Sequence, residues 1–347
     1  MSTLFNLFQE KLREVLPTAS VVVKEHQPTP INDDHNNIVI NLQHDSCTTG
    51  KILEVTLPVL TYADWPRSSL ELLLQQILNN CALSLELNHQ EAKYEAYLQE
   101  VKTIKEKLLP HHSHQIEGVD YAIHYSPSIG GGGDYIDIMD LRDARRRAGF
   151  DLDTVFWGGG LIDVSGHGPG AAVEVAMIDA ILRTYQGGAD RGPGDVLTYV
   201  NKHFFTRQRR GGFVTGILCN YDAAEEMFSY SNAGHLPPIV KRSDGSVEIL
   251  DAHGGIPIGI TPDTYWETGS VKMGSGDTII MLTDGITEAR STNNTEFGYD
   301  NFVKFVEQNT VNDAQEFMNT FLTRFEAHVK NSSFQDDQTL IVARLSH

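Results

Sequence analysis

Apolar residues in this chain change their spacing along its length, and the changes divide it into parts. Residues 21–25, 37–42 and 51–58 are short β-prone runs set between polar, turn-rich stretches such as 30–36 and 44–50, which predicts three strands of a small α+β module. From Ser68 to Leu109 the chain holds neither Gly nor Pro, and Pro110 ends the stretch, so it reads as one long helix or two abutting ones. In its second half Leu87, Tyr94, Val101 and Leu108 recur every seven residues, with Tyr97 and Ile104 three residues after two of them. That spacing predicts a short coiled-coil seam and a homodimer, although a helix packing on its own domain gives the same pattern over so few heptads.

Beyond Pro110 the pattern is mixed. Strands are predicted at 120–125, 134–140, 154–164, 213–221, 227–232, 238–242, 247–250, 266–273, 277–283 and 339–345, and helices at 170–185, 194–206, 300–308 and 312–330. Short turns join most neighbouring strands, so antiparallel pairing should dominate and the amphipathic helices should cover the outer faces. The expected fold is α+β: an antiparallel β-sandwich flanked by helices over residues 111–347, preceded by an α+β module at 1–85 and a helical linker at 86–110. No repeat of fixed period points to a solenoid or propeller.

Charge narrows the partners. The 347 residues carry a formal net charge of −19, which disfavours nucleic acid and anionic membranes. Residues 1–16 lack the apolar core of a leader, and no later run reaches the ~18 apolar residues of a span, so a soluble, cytoplasmic protein is expected. Cys47, Cys81 and Cys219 have no paired spacing and read as buried thiols, not a disulfide framework or zinc cluster.

The candidate chemistry lies in four acidic positions, each at the end of a predicted strand: Asp134 in GGGGDYID, Asp163 in LIDVSGHG, Asp284 in IIMLTDG, and the pair Asp336 and Asp337 in DDQTLIVARL. Paired strands bring their ends together, so carboxylates far apart in sequence converge. Clustered carboxylates repel without a cation, and hard oxygen donors suit Mg2+ or Mn2+. Each motif alone has an ordinary reading. The Asp163 loop is also a common strand-to-helix turn, Asp284-Gly285 a common turn, and Asp336-Asp337 a solvated cap. The glycines Gly130 to Gly133 lead into a strand and lack the Lys and Ser/Thr of a phosphate-cradling loop. Asp137 reads as a supporting or surface residue. His235, in SNAGHLPP, reads as a loop brace, a phosphate donor or a general acid, and His167 is equally open. Arg142, Arg145, Arg146 and Arg147 form a basic stretch that would attract a phosphorylated partner or simply be solvated.

These motifs, in this order, closely resemble the bacterial branch of the PPM metal-dependent serine/threonine phosphatases, the group named after SpoIIE and RsbU. The resemblance spans about residues 105–345, through KLLP, HYSPSIGGGGDYID, IDVSGHGPGAA, GGFVTG, YSNAGHLPP, GGIPIG, MLTDGITEAR, EFGYDNF and DDQTLIVARL. It implies the sandwich already expected, with Asp163 as the acid shared by two Mn2+ or Mg2+ ions and the Val164 carbonyl beside it. Asp284 and Asp336 match the other metal-binding acids, and Asp134 matches one acting directly or through water. Asp337, counted with the metal-binding acids, stands where eukaryotic relatives carry Asn, and Ser165 where they carry a His proposed as general acid. The chain also departs in having four glycines where two are usual and Pro169-Gly170 where Val-Pro is common; neither removes a ligand.

The resemblance further implies hydrolysis of phosphoserine or phosphothreonine by an ion-activated water. The implied substrate is a phosphorylated regulatory protein, commonly a STAS-type anti-sigma-factor antagonist, with control by an N-terminal sensor; residues 1–85 resemble a shortened GAF-type module. Two alternatives stay open: a catalytically silent phosphoprotein-binding regulator, and a nucleotide or second-messenger phosphohydrolase.

Overall fold

The computed structural model describes residues 2–15, 20–25, 37–42, 51–58, 66–108, 115–128, 132–147, 154–166, 168–186, 191–205, 212–330 and 336–346. It forms two compact units, Met1–Ala96 and Tyr97–His347. Among the described residues no helix is long and apolar enough to cross a membrane.

The first unit holds helix α1 (Ser2–Val15), strands β1 (Ser20–Glu25), β2 (Asn37–Leu42) and β3 (Lys51–Pro58), and the start of α2 (Arg67–Leu108). The strands form an antiparallel sheet in the order β1-β3-β2. Leu70, Leu74, Leu78 and Cys81 recur at helical spacing on α2 and bury with Phe8, Leu12 and Val55. Further along α2, Leu87, Tyr94 and Tyr97 of the seven-residue register are exposed, at 54, 60 and 54%. Cys81 and Cys219 are buried thiols, and Cys47 lies outside the described residues.

The second unit is two antiparallel sheets face to face. Strands β4 (Val119–Ser126), β9 (Ile239–Lys241), β10 (Val247–Ile249), β13 (Thr278–Leu282) and β14 (Gln338–Leu345) form one, ordered β10-β9-β13-β14-β4. The other is ordered β11-β8-β7-β6-β5, from β5 (Asp134–Asp140), β6 (Phe156–Val164), β7 (Val214–Asp222), β8 (Met227–Ala233) and β11 (Gly254–Gly255), with β12 (Gly269–Lys272) also on β8. Only β11 on β8 pairs in parallel among these strands.

Alternation along each strand decides which side chains meet. On β13 and β14, Ile279, Met281, Ile341, Ala343 and Leu345 enter the inter-sheet core with Trp157, Leu161, Ile217 and Tyr221 of the other sheet. The intervening Ile280, Leu282, Leu340 and Val342 face outward and bury under helices α7 (Tyr299–Gln308) and α8 (Ala314–Val329) through Phe302, Phe305, Phe317 and Phe321. The other sheet's outer face, with Tyr135, Ile162 and Val164, packs on α4 (Pro169–Arg183) and α5 (Pro193–Phe205) through Val175, Ile178, Val200 and Phe204. Each such buried aliphatic or aromatic side chain contributes about 1.5–3 kcal/mol. Pro169 starts α4 where a missing N–H has no cost. At α8, Asp313 accepts from Glu316 N at 2.7 Å and closes the helix start.

Two local expectations change. The basic stretch at Arg142 forms a helix, α3 (Arg142–Arg147), and three of its guanidinium groups are engaged within the chain. Arg142 pairs with Glu117 and Asp140, Arg146 with Asp143, and Arg145 with Asp222 at 2.6 Å while lying over the Phe156 ring. The Asp284-Gly285 turn is the start of a helical turn, α6 (Asp284–Thr287).

Candidate metal centre

The alternation that fills the core places acids at one end of it. Asp134 on β5 and Asp163 on β6 are cross-strand partners, and Thr215 on β7 is the next partner of Asp163. They continue the inward parity of Ile136, Leu161 and Ile217. From the facing sheet, Thr283 follows Met281 by two residues, and Asp337 and Thr339 precede Ile341 by four and two. Both sheets therefore end in polar inward residues on the same side.

Hydrogen bonds join the two sheets there. The Thr283 hydroxyl donates to Asp134 Oδ2 at 3.1 Å, and the Thr339 hydroxyl donates to the same oxygen. Thr339 N donates to Thr283 Oγ1 at 3.1 Å, so the threonines also brace each other. Asp337, 2% exposed, accepts from Ser128 N at 2.6 Å on Oδ1 and from Asp134 N at 2.9 Å on Oδ2. Glycines let the loops close around it. A Cβ on Gly132, whose φ is +70°, would lie 2.0 Å from Asp337 Oδ2, and one on Gly285 would lie 2.0 Å from the Asp337 carbonyl oxygen.

The electrostatics record strong crowding. Burial pushes the Asp163 carboxyl up to about 7, helped by the negative charges of Asp284, Asp336, Asp337 and Glu288. Asp284 is raised by burial and then by Asp336 and Glu288. Asp134 is raised well above the carboxylate range by burial and by Asp163 and Asp337, against its two threonine donors. A cation would offset the repulsion by which these carboxylates raise one another's pKa. The donors offered are oxygens, the hard set that suits Mg2+ or Mn2+ and not zinc. Among the described residues no three Asp, Glu, His or Cys side chains close around one point, so the fit rests on donor chemistry and mutual repulsion.

Other predicted positions fall as follows. Asp336 is exposed beside the buried Asp337, and the Val164 carbonyl faces Gly133, whose added Cβ would come within 2.8 Å of it. His235 is pinned in its loop by Asn232, which accepts from His235 N at 2.7 Å and donates to its carbonyl at 3.0 Å. Its Nδ1 lies 3.1 Å from Thr215 Oγ1, and burial pushes its pKa down to about 4, so the ring is neutral at physiological pH. His167 lies outside the described residues. Thr283, Thr339 and Glu288 carry no assignment from motif reading. Inward parity marks the threonines, and Glu288 stands four residues after Asp284, one helical turn on.

The comparisons now decide the family. A family model described as Stage II sporulation protein E (SpoIIE) matches residues 158–346, more than half of the chain. The chain belongs to the SpoIIE family. The match includes Asp163, Asp284, Asp336 and Asp337, with Asp134 upstream of it. Among curated relatives of this SpoIIE-family chain, the Bacillus subtilis phosphoserine phosphatase RsbU is 29% identical over 187 residues, 53% of this chain and 54% of that protein. The chain spans about half the length of the curated relatives it matches. Among solved structures, the SiaA-PP2C domain of Pseudomonas aeruginosa aligns with a TM-score of 0.63 at 18% identity, covering 74% of this chain and 99% of that one. The PP2C phosphatase domain of Bacillus subtilis SpoIIE with a fragment of its regulatory domain gives 0.53 at 16%, covering 98% and 89%. The SpoIIE-family sandwich thus has the PP2C phosphatase fold.

The threonine braces lead to a testable effect. Thr283→Val or Thr339→Val removes one donor from Asp134 Oδ2 while keeping shape, and groups that orient metal-site ligands are typically worth 10–100-fold in affinity. Each variant is expected to need about 10-fold more Mn2+ for half-maximal binding, measured by calorimetric titration.

Proposed function

We propose that the chain is a metal-dependent protein serine/threonine phosphatase acting in the cytoplasm on phosphoserine or phosphothreonine of a regulatory protein. The observation that carries this reading is the pairing of Asp134 with Asp163 across two strands, under the combined charge of Asp284, Asp336 and Asp337. The likeness to a relative named phosphoserine phosphatase supports it.

In this reading Asp163, Asp284, Asp336 and the Val164 carbonyl hold Mn2+ or Mg2+, with two ions expected and Asp134 reaching them directly or through water. When bound, the ions supply an activated water and offset charge on the transferring phosphoryl group. The chain's own residues set the stage. Thr283 and Thr339 fix the Asp134 carboxylate, and Asp337 ties the β5 loop behind it. A neutral His235 braces Thr215 beside Asp163 and does not serve as a charged acid near pH 7.

The substrate we propose is a STAS-type anti-sigma-factor antagonist. Residues 1–85 act as the sensor-like module, and residues 86–110 join two chains and carry its signal to the phosphatase at 111–347. Turnover of a phosphoserine protein should vanish on chelation and return with Mn2+. Faster turnover of nucleotides would favour the second-messenger reading, and no turnover of p-nitrophenyl phosphate at all would favour a silent regulator. The exposed register on α2 gives a separate test: Leu87→Glu with Tyr94→Glu is expected to yield monomers in sedimentation without loss of helicity. A dimer that survives both changes removes the linker from the interface.

A further inference from the structure

On the face of β5 opposite the acid cluster, a second set of carboxylates is buried. The Tyr135 hydroxyl lies 3.1 Å from Asp137 Oδ2 and 3.2 Å from Asp179 Oδ1, and Arg183 Nε donates to Asp179 Oδ2 at 2.9 Å. Asp137 and Asp179 are 6% and 7% exposed.

Counting hydrogens fixes the protonation. A phenol carries one hydrogen and donates to one acceptor. With both carboxyls ionised, one of the two close oxygen pairs would hold no hydrogen between negative or lone-pair-bearing atoms, a repulsion that the Ile138 N–H donated to Asp137 offsets only in part. Arg183 is paired with Asp179 and not with Asp137, which leaves the extra proton to Asp137. Asp137 then donates to Tyr135 Oη, Tyr135 donates to Asp179 Oδ1, and Arg183 donates to Asp179 Oδ2. Each of these three hydrogens has one acceptor, and the set is neutral overall.

We propose that Asp137 holds the extra proton and that this chain of hydrogen bonds fastens α4 to β5, making Asp137, Tyr135 and Asp179 positioning residues for the acid cluster. Tyr135 directly follows Asp134, and α4 begins six residues after Asp163, so the chain ties together the two segments that deliver the paired aspartates. The charged and titratable groups facing Asp137 are Tyr135 on its own strand and Asp179 and Arg183 on α4; its partner on β6 is Gly160, which brings no side chain. Burial is the largest influence on Asp137 and raises its pKa, Asp179 adds to the rise, and Tyr135 and Arg183 oppose it. With a folded pKa above the ordinary carboxyl value, the stabilisation is complete below that ordinary value and is lost as pH rises through the folded one.

The location of the proton stands independently of the phosphatase reading; the effect on the metal site rests on it. Asn at 137 supplies a permanent N–H donor to Tyr135. Asp137→Asn in the full chain is therefore expected to melt within about 2 °C of wild type in mildly acidic buffer and to pull ahead of it as pH rises. Asp179→Asn, which faces Arg183 with an amide, is expected to melt about 5 °C lower and to need about 10-fold more Mn2+ for half-maximal activity, with kcat at saturating Mn2+ unchanged. The infrared difference between wild type and Asp137→Asn should contain the C=O stretch of a protonated carboxyl. Absence of that band in mildly acidic buffer, or Asp137→Asn falling as far as Asp179→Asn, overturns the proposal. A chain without phosphatase activity would sink the functional reading and leave the infrared and melting tests in force.

Discussion

Asp163→Asn is expected to abolish metal-dependent turnover, by ~10³-fold or more, and yet to raise the melting temperature of the metal-free protein. The loss corresponds to roughly 4 kcal/mol of transition-state stabilisation, the scale expected if Asp163 holds the ions as proposed. The gain follows from the metal-free electrostatics. Asp163 titrates near 7 in the fold because it is buried among Asp284, Asp336, Asp337 and Glu288. A folded pKa raised above the unfolded one gives stability that is complete below the unfolded value and lost as pH rises through about 7. Above that pH the ionised carboxylate burdens the metal-free fold, and a neutral amide does not. Added Mn2+ should reverse the order. Wild type gains about 2.7 kcal/mol at a hundredfold excess over its dissociation constant, and the variant gains little. Near-normal turnover, or a metal-free variant that melts below wild type in mildly alkaline buffer, would remove Asp163 from the centre of the site.

The strand pattern alone brings Asp134, Asp163, Asp284 and the pair Asp336 and Asp337 forward as acids at sheet ends, and the family resemblance gives them roles. Strands at 37–42, 51–58 and 134–140 were legible to the residue, because β-branched runs bounded by turn residues have few competing readings. The 42-residue α2 was legible from the lack of Gly and Pro. What motif reading missed has a common cause in the pleat. Asp336 and Asp337 look alike as neighbours, but successive residues point to opposite sides, so Asp337 is buried between loops and Asp336 is exposed. Thr283 and Thr339 lay inside quoted motifs with no role because hydroxyls matter here only through which face they occupy. The Asp284-Gly285 turn became helical for a tertiary reason: Gly285 lies against the Asp337 carbonyl, a contact no local pattern contains.

That asymmetry between neighbours gives the second large effect. Asp337→Ala is expected to destabilise even the metal-free protein by about 3–5 kcal/mol, read as a lower urea midpoint at unchanged slope. Its two oxygens accept from Ser128 N and Asp134 N, both buried bonds, and alanine would leave those amides without that acceptor. Each stranded donor costs ~1–3 kcal/mol, and more when the lost acceptor was charged. Asp337→Asn should fare little better, since one oxygen becomes an NH2 facing an amide N–H. A residue that acted only as a metal ligand behaves in the opposite way: its removal relieves repulsion, as at Asp163, and the metal-free protein gains. Unfolding in chelator therefore separates the two roles. A midpoint at or above wild type for Asp337→Ala would make Asp337 a ligand first. A drop of several kcal/mol makes it the clamp that holds the Asp134 loop, through which activity is lost because the neighbouring acid is no longer held in register.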